Sequence, residues 1–181
     1  AKNSRIAFEK QIDSKKKDMV LKRFASQLFI NKKKIIKENI KDIKFAKKKK
    51  IKENLIKRLE INEKKIIEII KSINQIIKIK DPTNKILDQW KRPNGLIIKK
   101  VSVPIGVIAV IYESRPNVTS DVASLCFKSG NAVILRGGSE AFNTNKIISN
   151  LFRKSLKVCG VDQNYVQFIG SKNRKIVDTL L

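Results

Sequence analysis

Two short, unbroken apolar runs constrain this chain more than any other feature. Gly106–Ile111 reads Gly-Val-Ile-Ala-Val-Ile, and Ala132–Leu135 reads Ala-Val-Ile-Leu. Runs this short, with no polar alternation, are the pattern of strands buried on both faces of a parallel sheet. Residues 117–129, between them, carry a helical pattern that puts Val118, Val122, Leu125 and Cys126 on one face, with Gly130 where a C′ glycine belongs. A second helix over 140–158, closed by Gly160, leads to a third strand, Tyr165–Ile169, and Lys172–Leu181 begins a third helix. This alternation predicts right-handed βαβ units on a parallel sheet, an α/β fold. Three strands make a thin sheet, and the last helix meets the end of the chain without a capping signal. The sequence therefore reads as a domain cut short.

The first half has a different texture. Ile36, Ile40 and Ile43 recur at helical spacing, as do Ile66, Ile69 or Ile70, Ile73 and Ile77. The pattern predicts two long helices before Lys50, a short one near Lys52–Leu59 and another near Glu63–Ile79 with Asn62 as its N-cap. Phe24, Phe29 and Phe45 are expected in the core. Asp81-Pro82-Thr83-Asn84 is turn chemistry, and Ile86–Trp90 and Leu96–Val101 flank a Pro-Asn-Gly turn, which predicts a hairpin. A lone hairpin is marginal, so it should pack on a neighbouring sheet or subunit. The expected divisions are a helical segment over 1–80, a hairpin linker over 81–103 and a βαβ portion over 104–181.

Charge follows the same division. The chain has 41 basic and 16 acidic residues, a net charge of +25. Residues 1–100 hold 31 basic and 11 acidic groups, net +20, whereas residues 101–181 hold 10 and 5, net +5. Such an excess raises a basic nucleic-acid-binding module as one reading, centred on Lys47–Lys50. Arg is scarce in the helical half, however, and no aromatics interleave with the Lys to stack bases, so a solvated face is preferred.

Several chemistries drop out. There is no histidine, which removes imidazole acid–base work and His metal ligands; no metal site is expected. Cys126 and Cys159 are too far apart for a CxxC pair, and both read as small buried hydrophobes rather than nucleophiles. The longest uncharged run, Val101–Tyr112, is shorter than the ~20 residues a membrane helix needs, and the start lacks the apolar core of a signal peptide. A cytoplasmic protein is expected.

In an open parallel sheet, ligands sit beyond the carboxyl ends of the strands. Two loops qualify. Tyr112-Glu113-Ser114-Arg115-Pro116-Asn117 places polar groups at a helix N-terminus, which favours an anion; it reads equally as a simple helix start with a solvated Arg115. Arg136-Gly137-Gly138-Ser139-Glu140 follows the second strand. In dinucleotide folds this loop meets the adenosine ribose, and a basic residue there accommodates the 2′-phosphate of NADP; the plain alternative is an ordinary strand-to-helix turn. Neither GxGxxG nor a Walker lysine motif is present.

These residues also carry a resemblance. Val103-Pro104-Ile105-Gly106-Val107-Ile108, Tyr112-Glu113-Ser114-Arg115-Pro116-Asn117-Val118-Thr119 and Lys128 to Ala141 closely resemble the γ-glutamyl phosphate reductase (glutamate-5-semialdehyde dehydrogenase) family, with Asp81-Pro82 and Trp90–Leu96 fitting upstream. The resemblance implies an aldehyde dehydrogenase-like fold and NADPH-dependent reduction of γ-glutamyl phosphate to glutamate 5-semialdehyde, a step of proline biosynthesis. In that family a cysteine thiolate displaces phosphate to give a thioester that accepts hydride, dividing a hard reduction into two easier steps. That cysteine is expected beyond Leu181, so no catalytic residue is assigned within the chain. By position, Arg136, Gly137, Gly138 and Ser139 would contact the cofactor, and Arg115 and Asn117 would approach the reacting carbonyl. A homo-oligomer when complete, association with glutamate 5-kinase, and no membrane or nucleic-acid partner are also implied. Another oxidoreductase of the aldehyde dehydrogenase superfamily is the remaining alternative.

Overall fold

A computed structural model describes residues 1–171 and 173. The helix expected over Lys172–Leu181 falls, apart from Asn173, outside the described residues. The helical half contains α1 (Lys2–Glu9), α2 (Ser14–Ile30), α3 (Lys32–Lys48), α4 (Glu53–Leu59) and α5 (Glu63–Lys78). An additional short helix thus precedes the two long ones. The extra break comes from Asp13, whose carboxylate accepts from the Lys16 amide at 2.8 Å and caps α2. Asn62 caps α5 as expected, accepting from the Lys65 amide at 2.9 Å.

The hairpin forms from β1 (Ile86–Lys91) and β2 (Ile97–Val101), antiparallel, with Gly95 at φ +86° in its turn. Its large apolar side chains, Leu87, Ile97 and Trp90 among them, are exposed. The second half runs β3 (Val107–Ile111), α6 (Pro116–Lys128), β4 (Ala132–Arg136), α7 (Phe142–Val158) and β5 (Val166–Phe168). The three strands form a parallel sheet in the order β3-β4-β5, as the alternation predicts.

One core joins the halves. Val20, Leu21, Phe24 and Leu28 of α2 and Ile66, Ile69, Ile73 and Ile76 of α5 pack against α6 and α7, which cover β4 and β5 respectively. Phe24, Phe152, Phe127 and Tyr165 form a chain of ring contacts through the layers, with centroids 4.5, 5.7 and 5.7 Å apart. Offset and edge-to-face rings add to simple burial. Two lysines clamp the layers. Lys17 Nζ donates to Asp81 at 2.9 Å, and Lys128 Nζ donates to Asp18 at 2.5 Å and to the Ile77 carbonyl at 3.0 Å.

Four expectations about burial need correction. β4 is buried throughout, but β3 is only half-buried, because it pairs on one side alone among the described strands. On α6 the buried face is Thr119, Ser120, Ala123, Ser124 and Phe127, while Leu125 is exposed, Val118 is half-buried, and Val122 and Cys126 flank the core. Small side chains let this helix approach its neighbours closely. Phe29 is exposed, with Lys32 Nζ 5.4 Å from its ring centroid, and Phe45 is half-buried beneath Lys49.

The fourth correction is the most informative. The buried stripe of α3 is Ile35, Asn39, Asp42 and Ala46, one position ahead of the isoleucines that the periodicity selects. Two polar residues face inward because α3 crosses the N-terminus of α7, whose first amides have no intrahelical partners. Asp42 accepts from the Asn143 amide and side chain at 3.1 and 2.8 Å, and from the Thr144 amide and hydroxyl at 2.8 and 2.6 Å. Asn39 donates to the Leu59 carbonyl and to Thr144 Oγ1, and accepts from the Ile61 amide.

Candidate active site

The two expected loops meet at the carboxyl ends of β3 and β4. The Tyr112 amide continues the β3–β4 ladder by donating to the Arg136 carbonyl at 3.0 Å. Beyond it, Glu140 ties the loops together: its carboxylate accepts from Ser114 Oγ at 2.7 Å and from Ser139 Oγ at 2.8 Å. Close approach explains the glycine pair. A Cβ on Gly138 would lie 2.2 Å from Ser114 Oγ, and one on Gly137 would lie 2.2 Å from Asn145 Nδ2 and 2.9 Å from Tyr112 Cε2.

A buried polar chain supports this junction from below. Thr119 Oγ1 gives its proton to Asn145 Oδ1 at 3.0 Å, so the Tyr112 hydroxyl, 2.7 Å away, must donate to Thr119. Burial pushes the Tyr112 phenol up to about 12, against the opposing pull of the Thr119 hydrogen bond and of the Arg136 charge. Tyr112 therefore stays a neutral donor at physiological pH.

Arg136 does not stand at the surface. Only 6% of it is exposed. Its Nη1 donates to the Gly137 carbonyl, and its Nε is buried without a partner among the described residues, as is Asn145 Nδ2. A buried guanidinium with one unmet donor beside a glycine pair is compatible with an anion carried nearby, since its field acts through a poorly screening interior. Gly137, Gly138 and Ser139, free of bulky side chains beside this charge, are compatible with a bound nucleotide.

Arg115 and Asn117 flank the N-terminus of α6 and face different grooves. Arg115 borders one of about 650 Å³, together with Tyr112, Ser114, Gly138 and Glu140 from the loops and Leu55 and Arg58 from α4. Asn117 borders a smaller one of about 310 Å³ beside α5, with Asp121 and Ser72. Reading the sequence missed Arg58, because a single Arg within a Lys-rich helix gives no signal until the fold brings α4 beside the Arg115 loop. Cys126 behaves as expected of a packed thiol, its pKa raised by burial. Among the described residues there is no group of His, Cys, Asp and Glu that could hold a metal ion, and no helix long and apolar enough to cross a membrane.

The architecture is that of aldehyde dehydrogenase-like enzymes. An acetylating aldehyde dehydrogenase from Geobacillus thermoglucosidasius superposes with a TM-score of 0.72 at 12% identity, over 99% of this chain and 37% of that one. Closer relatives narrow the class. The crystal structure of γ-glutamyl phosphate reductase from Thermotoga maritima matches with a TM-score of 0.94 and 40% identity, over 97% of this chain and 43% of that one. The γ-glutamyl phosphate reductase of Desulforamulus reducens is 39% identical over 183 residues, covering 100% of this chain and 44% of the relative. No family model matches the chain. The chain belongs to the γ-glutamyl phosphate reductase family and corresponds to its N-terminal portion. It spans less than half the length of the relatives it matches.

Proposed function

We propose that this chain is the cofactor-side portion of an enzyme that reduces γ-glutamyl phosphate to glutamate 5-semialdehyde at the expense of NADPH. In the reaction the bond from the acyl carbon to the phosphate oxygen breaks, phosphate leaves, and hydride takes its place on that carbon. NADPH, when bound, supplies the hydride. The observation that carries the reading is the junction of the two strand-end loops, where Glu140 bridges Ser114 and Ser139 and brings the candidate nucleotide cradle beside the Arg115 loop.

Within this junction, Gly137, Gly138 and Ser139 hold the adenosine side of the cofactor, and the buried charge of Arg136 favours its 2′-phosphate. Arg115, exposed at the first turn of α6, attracts the acyl phosphate. Asn117 offers its side-chain amide to the carbonyl oxygen as negative charge develops there. The enzyme acts in the cytoplasm as a homo-oligomer, which would cover the exposed apolar side chains of the β1–β2 hairpin.

Full-length enzyme should form NADPH from NADP and glutamate 5-semialdehyde only when phosphate is present, and the 181-residue chain alone should form none. Arg136→Ala should weaken NADPH more than NADH; equal losses would refute the 2′-phosphate role. Activity that is indifferent to phosphate would refute the reaction.

A further inference from the structure

The smaller groove beside α6 has a charge arrangement that the reaction chemistry leaves unused. Arg58 lines both grooves. It is exposed and makes no side-chain hydrogen bond or ion pair among the described residues. Across the smaller groove, Asp121 is half-buried, accepting from Ser72 Oγ at 3.2 Å and from Asn117 Nδ2 at 3.4 Å, with no cation among the described residues in ion-pair contact. Burial raises the pKa of this carboxyl, and the hydrogen bonds from Asn117 and Ser72 pull only partly against it. A half-buried carboxylate without an ion pair and a guanidinium without an acceptor, both among the described residues, thus border one cavity of about 310 Å³, whose rim also carries Glu60, Lys65 and Glu68. Both groups would gain from a ligand end that carries the two opposite charges.

We propose that this groove seats the α-amino-acid head of the substrate, with Arg58 receiving the α-carboxylate and Asp121 the α-ammonium. The proposal rests on the reaction proposed above. Asn117 joins the two functions: its amide contacts Asp121 on one side, and it sits at the helix N-terminus where the reacting carbonyl is expected on the other. Holding the charged head would therefore set which acyl carbon reaches Asn117, making Arg58 and Asp121 determinants of specificity rather than of bond-breaking.

The test uses the full-length reductase in the direction of aldehyde oxidation, with NADP and phosphate and three aldehydes. Glutamate 5-semialdehyde carries both charges, 5-oxopentanoate lacks the ammonium, and 4-aminobutanal lacks the carboxylate. Arg58→Ala should lower kcat/KM about 10- to 100-fold for the two carboxylate-bearing aldehydes and leave 4-aminobutanal unchanged, with Arg58→Lys recovering part of the loss. Asp121→Asn, which keeps the side chain's shape, should lower it for the two ammonium-bearing aldehydes and spare 5-oxopentanoate. Losses equal across all three aldehydes, or none at all, overturn the proposal while leaving the reaction intact. Failure of the unmodified enzyme to oxidise glutamate 5-semialdehyde in a phosphate-dependent way overturns the reaction itself, and the proposal with it.

Discussion

Asp42→Ala should cost about 4 kcal/mol, although Asp42 lines neither groove. Its side chain is 1% exposed and holds the first turn of α7 through four hydrogen bonds. Asn143 is half-buried, so water can replace the bonds it loses. Thr144 is fully buried, so its amide and hydroxyl would lose their charged acceptor with no solvent to replace it. Each stranded buried donor costs about 1–3 kcal/mol, and a lost helix cap adds about 1 kcal/mol. For a chain of this size each kcal/mol lowers Tm by about 2–4 °C, so the midpoint should fall by about 8–16 °C. Urea unfolding at unchanged m-value measures the loss. Thr144→Val removes one of the stranded donors, so the double variant should lose less than the sum of the singles, with a coupling of about 1–2 kcal/mol. A loss below about 1 kcal/mol, or strict additivity, would show that Asp42 does not hold the start of α7.

Three further outcomes follow from the same geometry. Gly137→Ala forces a methyl against Asn145 and Tyr112; it should destabilise the protein by about 1–3 kcal/mol and weaken nucleotide binding, and a neutral effect by calorimetry would count against the tight junction. The chain has only two tyrosines, and burial pushes both Tyr112 and Tyr165 up to about 12, with Asp162 adding to the rise at Tyr165. Their folded values lie above the unfolded value near 10, so the stability they contribute is complete below pH 10 and lost as pH rises toward 12; phenolate absorbance with a midpoint at pH 10 in folded protein would contradict this. Asp81 shows the opposite linkage. Burial alone would raise its pKa, but hydrogen bonds from Lys17 and from the Thr83 amide and hydroxyl, together with the Lys17 charge, outweigh it and hold the carboxyl below its ordinary 3.8. That stability is complete above the unfolded value and lost as pH falls through the folded one, so Lys17→Met should flatten the acid limb of the stability curve.

The fold was legible where local chemistry decides it. The apolar runs at 107–111 and 132–135 became parallel strands, and Asn62 capped α5, because strand burial and capping are written within a few residues. What the sequence concealed depends on distant neighbours. Asn39 and Asp42 look like solvent-facing positions on α3 until the N-terminus of α7, about a hundred residues away in the chain, arrives with unpaired amides. Arg136 reads as a basic residue at a strand-to-helix turn, and its burial was hidden because β4 is central among the described strands. That the loops around Arg115 and Gly137 meet at the strand ends was legible from the strand pattern alone. Arg58 and Asp121 were not, because only the packing of α4 and α5 against α6 brings them to one groove.

The most direct test of the central claim is NADPH formation by the full-length enzyme from glutamate 5-semialdehyde and NADP, measured with and without phosphate. Formation should require phosphate and fall about 100-fold or more when Asn117→Ala removes the amide proposed to stabilise the oxyanion. Formation that proceeds equally without phosphate, or that survives Asn117→Ala unchanged, would contradict that claim.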